Sequence, residues 1–200
     1  MESSRDGAKQ PERFDPGRAA QLDAPERFDY LPPMELFALL NAPKGGVVVD
    51  FGAGTGAYAL KLAQAQPDLE ILALDEQPQM LELLKKKLSL TPAPNVRPIL
   101  ANDKSWARLR GKADRILAVN VLHEVGDDPL RQMADLLKPG GNILFVDWNG
   151  AIERPVGPPR DHVLTPDEAV RRVQALGMEV LTSRLFPYHY ALVCGLRKMD

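Results

Sequence analysis

From Val47 onward, short runs of consecutive apolar residues alternate with longer stretches in which apolar positions recur every three or four residues. The first pattern fits a strand buried on both faces, the second a helix with one apolar stripe. The runs predict strands over 47–51, 70–75, 96–101, 114–120 and 142–148. The periodic stretches predict helices over 57–65, 78–88 and 129–138, with a turn-rich stretch from the third strand to about 112. Two further strands, 178–186 and 188–197, are separated only by Pro187 and its neighbours. Thr165-Pro-Asp-Glu has the form of a capping box with proline at the first helical position, and so starts a helix. Pro33 opens another, MELFALL, in the same way.

Strands alternating with amphipathic helices predict a parallel sheet covered on both faces. The last connection is too short for a crossover, so the final two strands must pair antiparallel. Pro98 cannot donate to a ladder, which places the third strand at an edge. The expected fold class is therefore α/β: a doubly wound, Rossmann-like, seven-stranded mixed sheet ending in an antiparallel hairpin. Residues 12–200 form one domain in this reading, with a core over 46–200 and an N-terminal helical lid segment over 12–45. That segment is rich in proline and charge, yet carries Phe14, Leu22, Phe28 and Tyr30. Residues 1–11, polar, small and charged, read as a disordered tail.

Composition narrows the function by exclusion. A net charge of −2 offers no basic footprint for nucleic acid, and the run Lys85–Lys86–Lys87 fits a solvated helix end. No apolar stretch is long enough to span a membrane, and the polar N-terminus has no signal-peptide core. The single cysteine, Cys194, rules out an internal disulfide and a multi-cysteine metal site. These features point to the cytoplasm, with no metal. Nothing in the sequence sets an oligomeric state.

The candidate chemistry begins at VVVDFGAGTG, residues 47–56. A β-branched run ends in Asp50; Gly52, Gly54 and Gly56 follow, and then a helix. Glycines permit backbone angles closed to other residues, and the helix N-terminus presents unpaired N–H groups. The loop alone also fits a ligand-free turn, and Gly52, Gly54 and Ala57 fit the dinucleotide pattern G-x-G-x-x-A.

Taken with Asp75 at the end of the second strand and the turn Leu137-Lys-Pro-Gly-Gly141, this motif resembles the class I S-adenosylmethionine-dependent methyltransferases, particularly a small-molecule branch like that of quinone biosynthesis. The resemblance extends from Phe14 to the C-terminus. It implies S-adenosyl-L-methionine as cofactor and S-adenosyl-L-homocysteine as product. Gly52, Ala53, Gly54 and Gly56 would meet the methionine end and Asp50 its ammonium group. Asp75 would take the ribose hydroxyls, with Glu76 and Gln77 beside the ribose or adenine edge. Asn102 and Asp103 would hold the adenine, with a loop-capping role as the alternative for Asp103, and Asn120 and Val121 would line the sulfonium side. The Asn/Asp-Pro-Pro-Tyr motif of nucleic-acid amino methyltransferases is replaced here by Asn120-Val-Leu-His123. A small organic methyl acceptor is therefore expected.

The expected reaction is in-line attack of an acceptor atom on the cofactor methyl, with alignment as the main contribution of the protein. His123 is the candidate base, with packing or capping as its alternative. Phe14, Tyr30, His123, Asp147, Trp148 and Tyr188 are the candidate acceptor pocket, although Trp148 also fits a core position. The turn Gly157–Pro159 reads as part of a lid. Two other functions compete: a nicotinamide-dependent oxidoreductase, favoured by the dinucleotide-like glycines, and a non-catalytic protein that binds the same cofactor.

Overall fold

The structure is a computed structural model and describes residues 15–197. Phe14 and the expected tail over 1–11 lie outside the described residues. Seven strands form one sheet: β1 (Val47–Phe51), β2 (Glu70–Asp75), β3 (Val96–Leu100), β4 (Ala113–Val119), β5 (Leu137–Trp148), β6 (Met178–Leu185) and β7 (His189–Leu196). Their order is β3-β2-β1-β4-β5-β7-β6. The first five are parallel, while β7 runs antiparallel to both β5 and β6. Pro98 sits in the edge strand β3, where a missing donor costs no ladder bond on the open side.

Alternation within the strands splits the core in two. On one face Val48, Ile71, Leu117 and Val146 pack against α2 (Pro33–Leu40), α3 (Ala57–Ala65) and α4 (Pro78–Leu90). On the other, Val49, Leu72, Ile116 and Phe145 pack against α5 (Asp103–Leu109), α6 (Asp127–Ala134) and α7 (Pro166–Ala175). Neighbouring strand residues thus face opposite layers, as the pleat requires. Cys194 is buried in the second layer, and burial pushes its thiol up to about 12, so it behaves as a small hydrophobe.

Three local features differ from the sequence reading. The expected turn-rich stretch holds α5, capped by Asn102, whose side chain accepts from Ser105 N at 3.0 Å while Ser105 Oγ accepts from Asn102 N. Helix α6 starts earlier than expected, directly after Gly126, and ends earlier where the chain turns at Asp135, whose carbonyl accepts from Gly111 N. The Lys138–Gly141 stretch bends within β5: Leu137 already pairs with Ala113, and the register shifts before Arg115 meets Asn142.

The capping box at α7 is present: Thr165 Oγ1 accepts from Glu168 N, and Glu168 Oε2 accepts from Thr165 N at 2.8 Å. Replacing Thr165 with alanine should cost about 1 kcal/mol. Thermal unfolding should show this as a fall in Tm of roughly 2–4 °C.

Before β1, a 3-10 turn (Pro16–Asp23) and the short helix α1 (Arg27–Tyr30) lead into α2. These pieces lie over the glycine loop and α4.

Candidate functional site

The carboxyl ends of β1, β2, β4 and β5 converge on one side of the sheet, where ligands of open α/β sheets collect. The glycine loop after β1 holds Gly52, Gly54 and Gly56 at φ of 69°, 55° and 77°, the left-handed region. Packing adds a second demand. A Cβ on Gly52 would stand 2.6 Å from Val121 Cγ2, and one on Gly56 would stand 2.4 Å from Leu84 Cδ1. Those two glycines are therefore required by the fold itself, and the case for a ligand rests on the acids behind the loop.

Asp75 ties the loop to the end of β2. Its Oδ2 accepts from Gly54 N at 2.7 Å and its Oδ1 from Gln77 N at 2.8 Å. Each carboxylate oxygen keeps a further lone pair, so the group can still accept from a pair of hydroxyls. Burial pushes the Asp75 carboxyl above its usual range, while these backbone donors pull it back. Asp50 is also buried, and its Oδ2 has no hydrogen-bond partner. Burial, reinforced by the negative charge of Asp75 and opposed by Arg27, raises its pKa to about 7. A buried carboxylate oxygen with no donor is costly unless it meets one, so a cationic group suits this position.

The N-terminal pieces cover this loop. Leu22 Cδ1 lies 3.0 Å from where a Cβ of Gly54 would stand. Asp23 Oδ1 accepts from Thr55 Oγ1 at 2.8 Å and pairs with Lys87 Nζ at 2.5 Å, while Lys87 also donates to Thr55 O. Arg27, only 7% exposed, donates to Leu22 O and lies 5.0 Å over the Tyr58 ring. The charge of Arg27 acts on both Asp50 and His189. An arginine between apolar residues of the N-terminal segment looks like any surface cation until the fold places it.

A second cluster sits at the ends of β4 and β5. His123 Nδ1 meets Asp147 Oδ1 at 2.7 Å, and Asp147 Oδ2 accepts from His123 N at 2.9 Å. Trp148 N donates to Asp147 Oδ1 at 2.7 Å, so the fully buried acid is held on several sides. With Nδ1 facing a carboxylate, the proton belongs there, which leaves Nε2 free to accept one. Glu124 Oε1 lies 3.6 Å from that Nε2. Burial alone would lower the His123 pKa. Asp147, by charge and hydrogen bond, together with Glu124, outweighs burial and holds it above the ordinary value. The loop carrying His123 is anchored from α7: Arg172 donates to Leu122 O, to Val125 O and to Asp127.

Beside this pair stands an aromatic wall. Tyr30 is 5.9 Å from Trp148 and 5.3 Å from Tyr188 between ring centroids, and stacks at 8° on His189. His189 is itself 4.0 Å from the Trp148 ring. Burial, with Arg27 and Arg154 nearby, depresses the His189 pKa to about 3, so it stays neutral. Asn120 occupies the left-handed region at φ 58°. With its amide oriented to suit its neighbours, it donates to His189 Nε2 and accepts from Arg27 Nη2 and Trp148 Nε1.

The fold thus gathers Asp50, the glycine loop, Ala53, Asp75, Gln77, Asn120 and Val121 at the adjacent carboxyl ends of β1, β2 and β4. Tyr30, His123, Asp147, Trp148 and Tyr188 stand next to it. Glu76 is exposed at the rim. Asn102 spends its side chain on capping α5, and Asp103 is exposed in the first turn of that helix. Arg27, Arg154 and His189 also stand here, and the two arginines carry no signal in the sequence. Among the described residues, no group of three or more His, Cys, Asp or Glu side chains could hold a metal ion. No helix among them is long and apolar enough to cross a membrane.

Comparison with known proteins agrees with this geometry. Residues 48–141 match the family model described as a methyltransferase domain. An uncharacterised methyltransferase of Mycobacterium tuberculosis is 33% identical over 110 residues, covering 54% of this chain and 41% of that protein. A trans-aconitate 2-methyltransferase of Methylobacterium radiotolerans is 32% identical over 126 residues, covering 62% of this chain and 46% of its own length. The chain thus spans less than half the length of these relatives. A solved methyltransferase dependent on S-adenosylmethionine, from Aquifex aeolicus, superposes with a TM-score of 0.84 at 22% identity over 91% of this chain and 98% of its own.

The fold is that of the class I S-adenosylmethionine-dependent methyltransferases. The reversed β7 between β5 and β6 separates it from the wholly parallel dinucleotide-binding sheet, whose sixth strand continues the parallel order.

Proposed function

We propose that the protein is a cytoplasmic S-adenosylmethionine-dependent methyltransferase acting on a small organic acceptor, as in the quinone-biosynthesis-like branch that its sequence resembles. The observation that carries this reading is the pair of buried acids behind the glycine loop. Asp75 offers both carboxylate oxygens to a diol while its main-chain bonds fix its orientation. Asp50 presents a buried oxygen with no donor, which suits an ammonium group. Arg27 lies close enough to Asp50 to act on it, and suits the carboxylate of the same amino-acid moiety. Residues of the N-terminal segment, with Leu22 over Gly54 and Asp23 bonded to Thr55 and Lys87, serve as the lid.

The cofactor, when bound, supplies a methyl group on an already activated sulfonium. The protein then has to align the acceptor, exclude water and, where the acceptor atom carries a proton, remove it. His123 is placed for that last task, with Nε2 as the accepting atom and Asp147 holding the ring and stabilising the cation it becomes. This charge-supported histidine favours an enzyme over a non-catalytic binder of the same cofactor. The trans-aconitate relative supports a small organic acceptor.

Calorimetric titration with S-adenosylhomocysteine, and separately with NAD and NADP, tests the reading. Binding of S-adenosylhomocysteine alone is expected; preference for a nicotinamide cofactor would overturn it. The same titration should release protons. At pH 6 the free protein holds Asp50 largely protonated, since its pKa is raised to about 7. An ammonium beside it favours the carboxylate, so binding at pH 6 should release up to about one proton. Titrations in buffers of different ionisation enthalpy read this release directly, and Asp50→Asn should remove most of it.

A further inference from the structure

Arg154 flanks the acceptor side and has no part in the steps assigned to His123 and Asp147. It stands on the loop after β5, and its guanidinium lies 5.3 Å from the centre of the Trp148 ring. Two of its five N–H donors are directed to main-chain carbonyls: Nη2 reaches Pro158 O at 3.0 Å, and Nη1 reaches Val156 O only at 3.5 Å. The Nε–H is buried and has no partner. The acids nearby are engaged elsewhere. Glu153 pairs with Arg160 at 2.5 Å, and Asp147 is held by His123 and by Trp148 N. Among the described residues, no carboxylate comes within ion-pair distance of Arg154, although its charge acts on His123 and His189.

The loop is shaped to hold the guanidinium there. Gly157 has φ 94°, and a Cβ on it would come 2.7 Å from Arg154 Nη1 and 2.9 Å from Trp148 Cε3. Only glycine lets the main chain close so tightly on both. A cavity of about 330 Å³ opens between Glu153 and Arg160, with Arg154 in its lining. A positive fork with a buried, unmatched N–H is costly unless an anion completes it, and a guanidinium matches a carboxylate by shape as well as charge. His189 and Arg154 cover the buried Trp148 ring, and the half-buried rings of Tyr30 and Tyr188 next to it suit a planar framework.

We infer that Arg154 selects a methyl acceptor bearing a carboxylate on a planar, unsaturated or aromatic framework, which lies beside Tyr30 and Tyr188 near His123. This deepens the methyltransferase reading and rests on it. No bond changes at Arg154; its contribution is to fix the acceptor through its anion.

The test uses benzoate and its neutral isostere benzamide. The chain has two tryptophans, so Trp106→Phe leaves Trp148 as the sole fluorescent reporter. Titrations are run on this variant of the 200-residue chain with and without saturating S-adenosylhomocysteine. Benzoate should bind at least tenfold more tightly than benzamide. Arg154→Gln should abolish that preference while leaving S-adenosylhomocysteine affinity unchanged, and Arg154→Lys should keep part of it. Equal affinity for the two probes, binding of neither, or a preference that survives Arg154→Gln would overturn the inference. The comparison of benzoate with benzamide on unaltered Arg154 stands even where Arg154→Gln disturbs the loop. Failure of S-adenosylhomocysteine to bind would strike the methyltransferase reading; selective benzoate binding in its absence would leave an anion site without that reading.

Discussion

His123→Ala should lower turnover by about 10²–10⁴-fold, the usual worth of a positioned general base, while the affinity for S-adenosylhomocysteine changes little. The expectation follows from where the imidazole stands. Its Nδ1 is occupied by Asp147, its main-chain N–H is bonded to the same carboxylate, and Arg172 fixes the loop on either side. A ring held so firmly has one nitrogen left for chemistry. The pH profile adds a sign. A base must be neutral to accept a proton, and Asp147 and Glu124 hold the His123 pKa above its ordinary value despite burial. The acid limb of turnover should therefore fall above pH 6.5, the usual value for histidine (about 6.5). Asp147→Asn removes the charge that raises it, so the limb should move to lower pH even as the maximum rate drops. Single-turnover rates with labelled cofactor across pH check both. Equal losses of turnover and cofactor affinity in His123→Ala would make His123 a packing residue.

Asp75→Ala should weaken S-adenosylhomocysteine binding by about 1.5–3 kcal/mol, roughly 10- to 150-fold, as charge-assisted hydrogen bonds to the ribose disappear. A second cost accompanies it. The N–H groups of Gly54 and Gln77 both end on this carboxylate, so alanine leaves two donors without it at the mouth of the loop. Thermal stability of the free protein should fall as well. Asp75→Asn separates the two effects, because an amide oxygen can still accept from one of the N–H groups while the charge is gone. Calorimetry should rank the proteins wild type, Asn, Ala in affinity; an Asp75→Ala protein that binds as tightly as wild type would refute the assignment.

The hydrophobic pattern carried the sheet because strand alternation and helix periodicity are local. The short Pro187 connection dictated the hairpin, and Pro98 dictated the edge, each through a rule about single backbone groups. Helix α5 escaped notice because its capping box uses Asn102 and Ser105, and its seven residues leave little room for periodicity. Asp50 and Asp75 were visible as strand-terminal acids. Their partners were not: the bond from Gly54 N to Asp75, and the unmatched oxygen of Asp50, exist only once β1 and β2 lie side by side.

The acceptor side was less legible for the same reason. His123, Asp147, Trp148 and Tyr188 stood out by residue type and strand position, but the chain gave no sign that Asp147 would grip His123 twice. Arg27, Arg154 and His189 depend on contacts between distant segments. Arg27 reaches Asn120, His189 stacks on Tyr30, and Arg154 covers Trp148. The glycine loop shows the opposite hazard. Gly52 and Gly56 look like ligand signals, yet Val121 and Leu84 already require them.

The most direct test is a crystal structure of the protein grown with S-adenosylhomocysteine. The ribose hydroxyls are expected on the Asp75 carboxylate and the ammonium beside Asp50 Oδ2, with the sulfur facing His123. Clear density for the compound away from these two acids, or a crevice that stays without it at saturating concentration, would contradict the account.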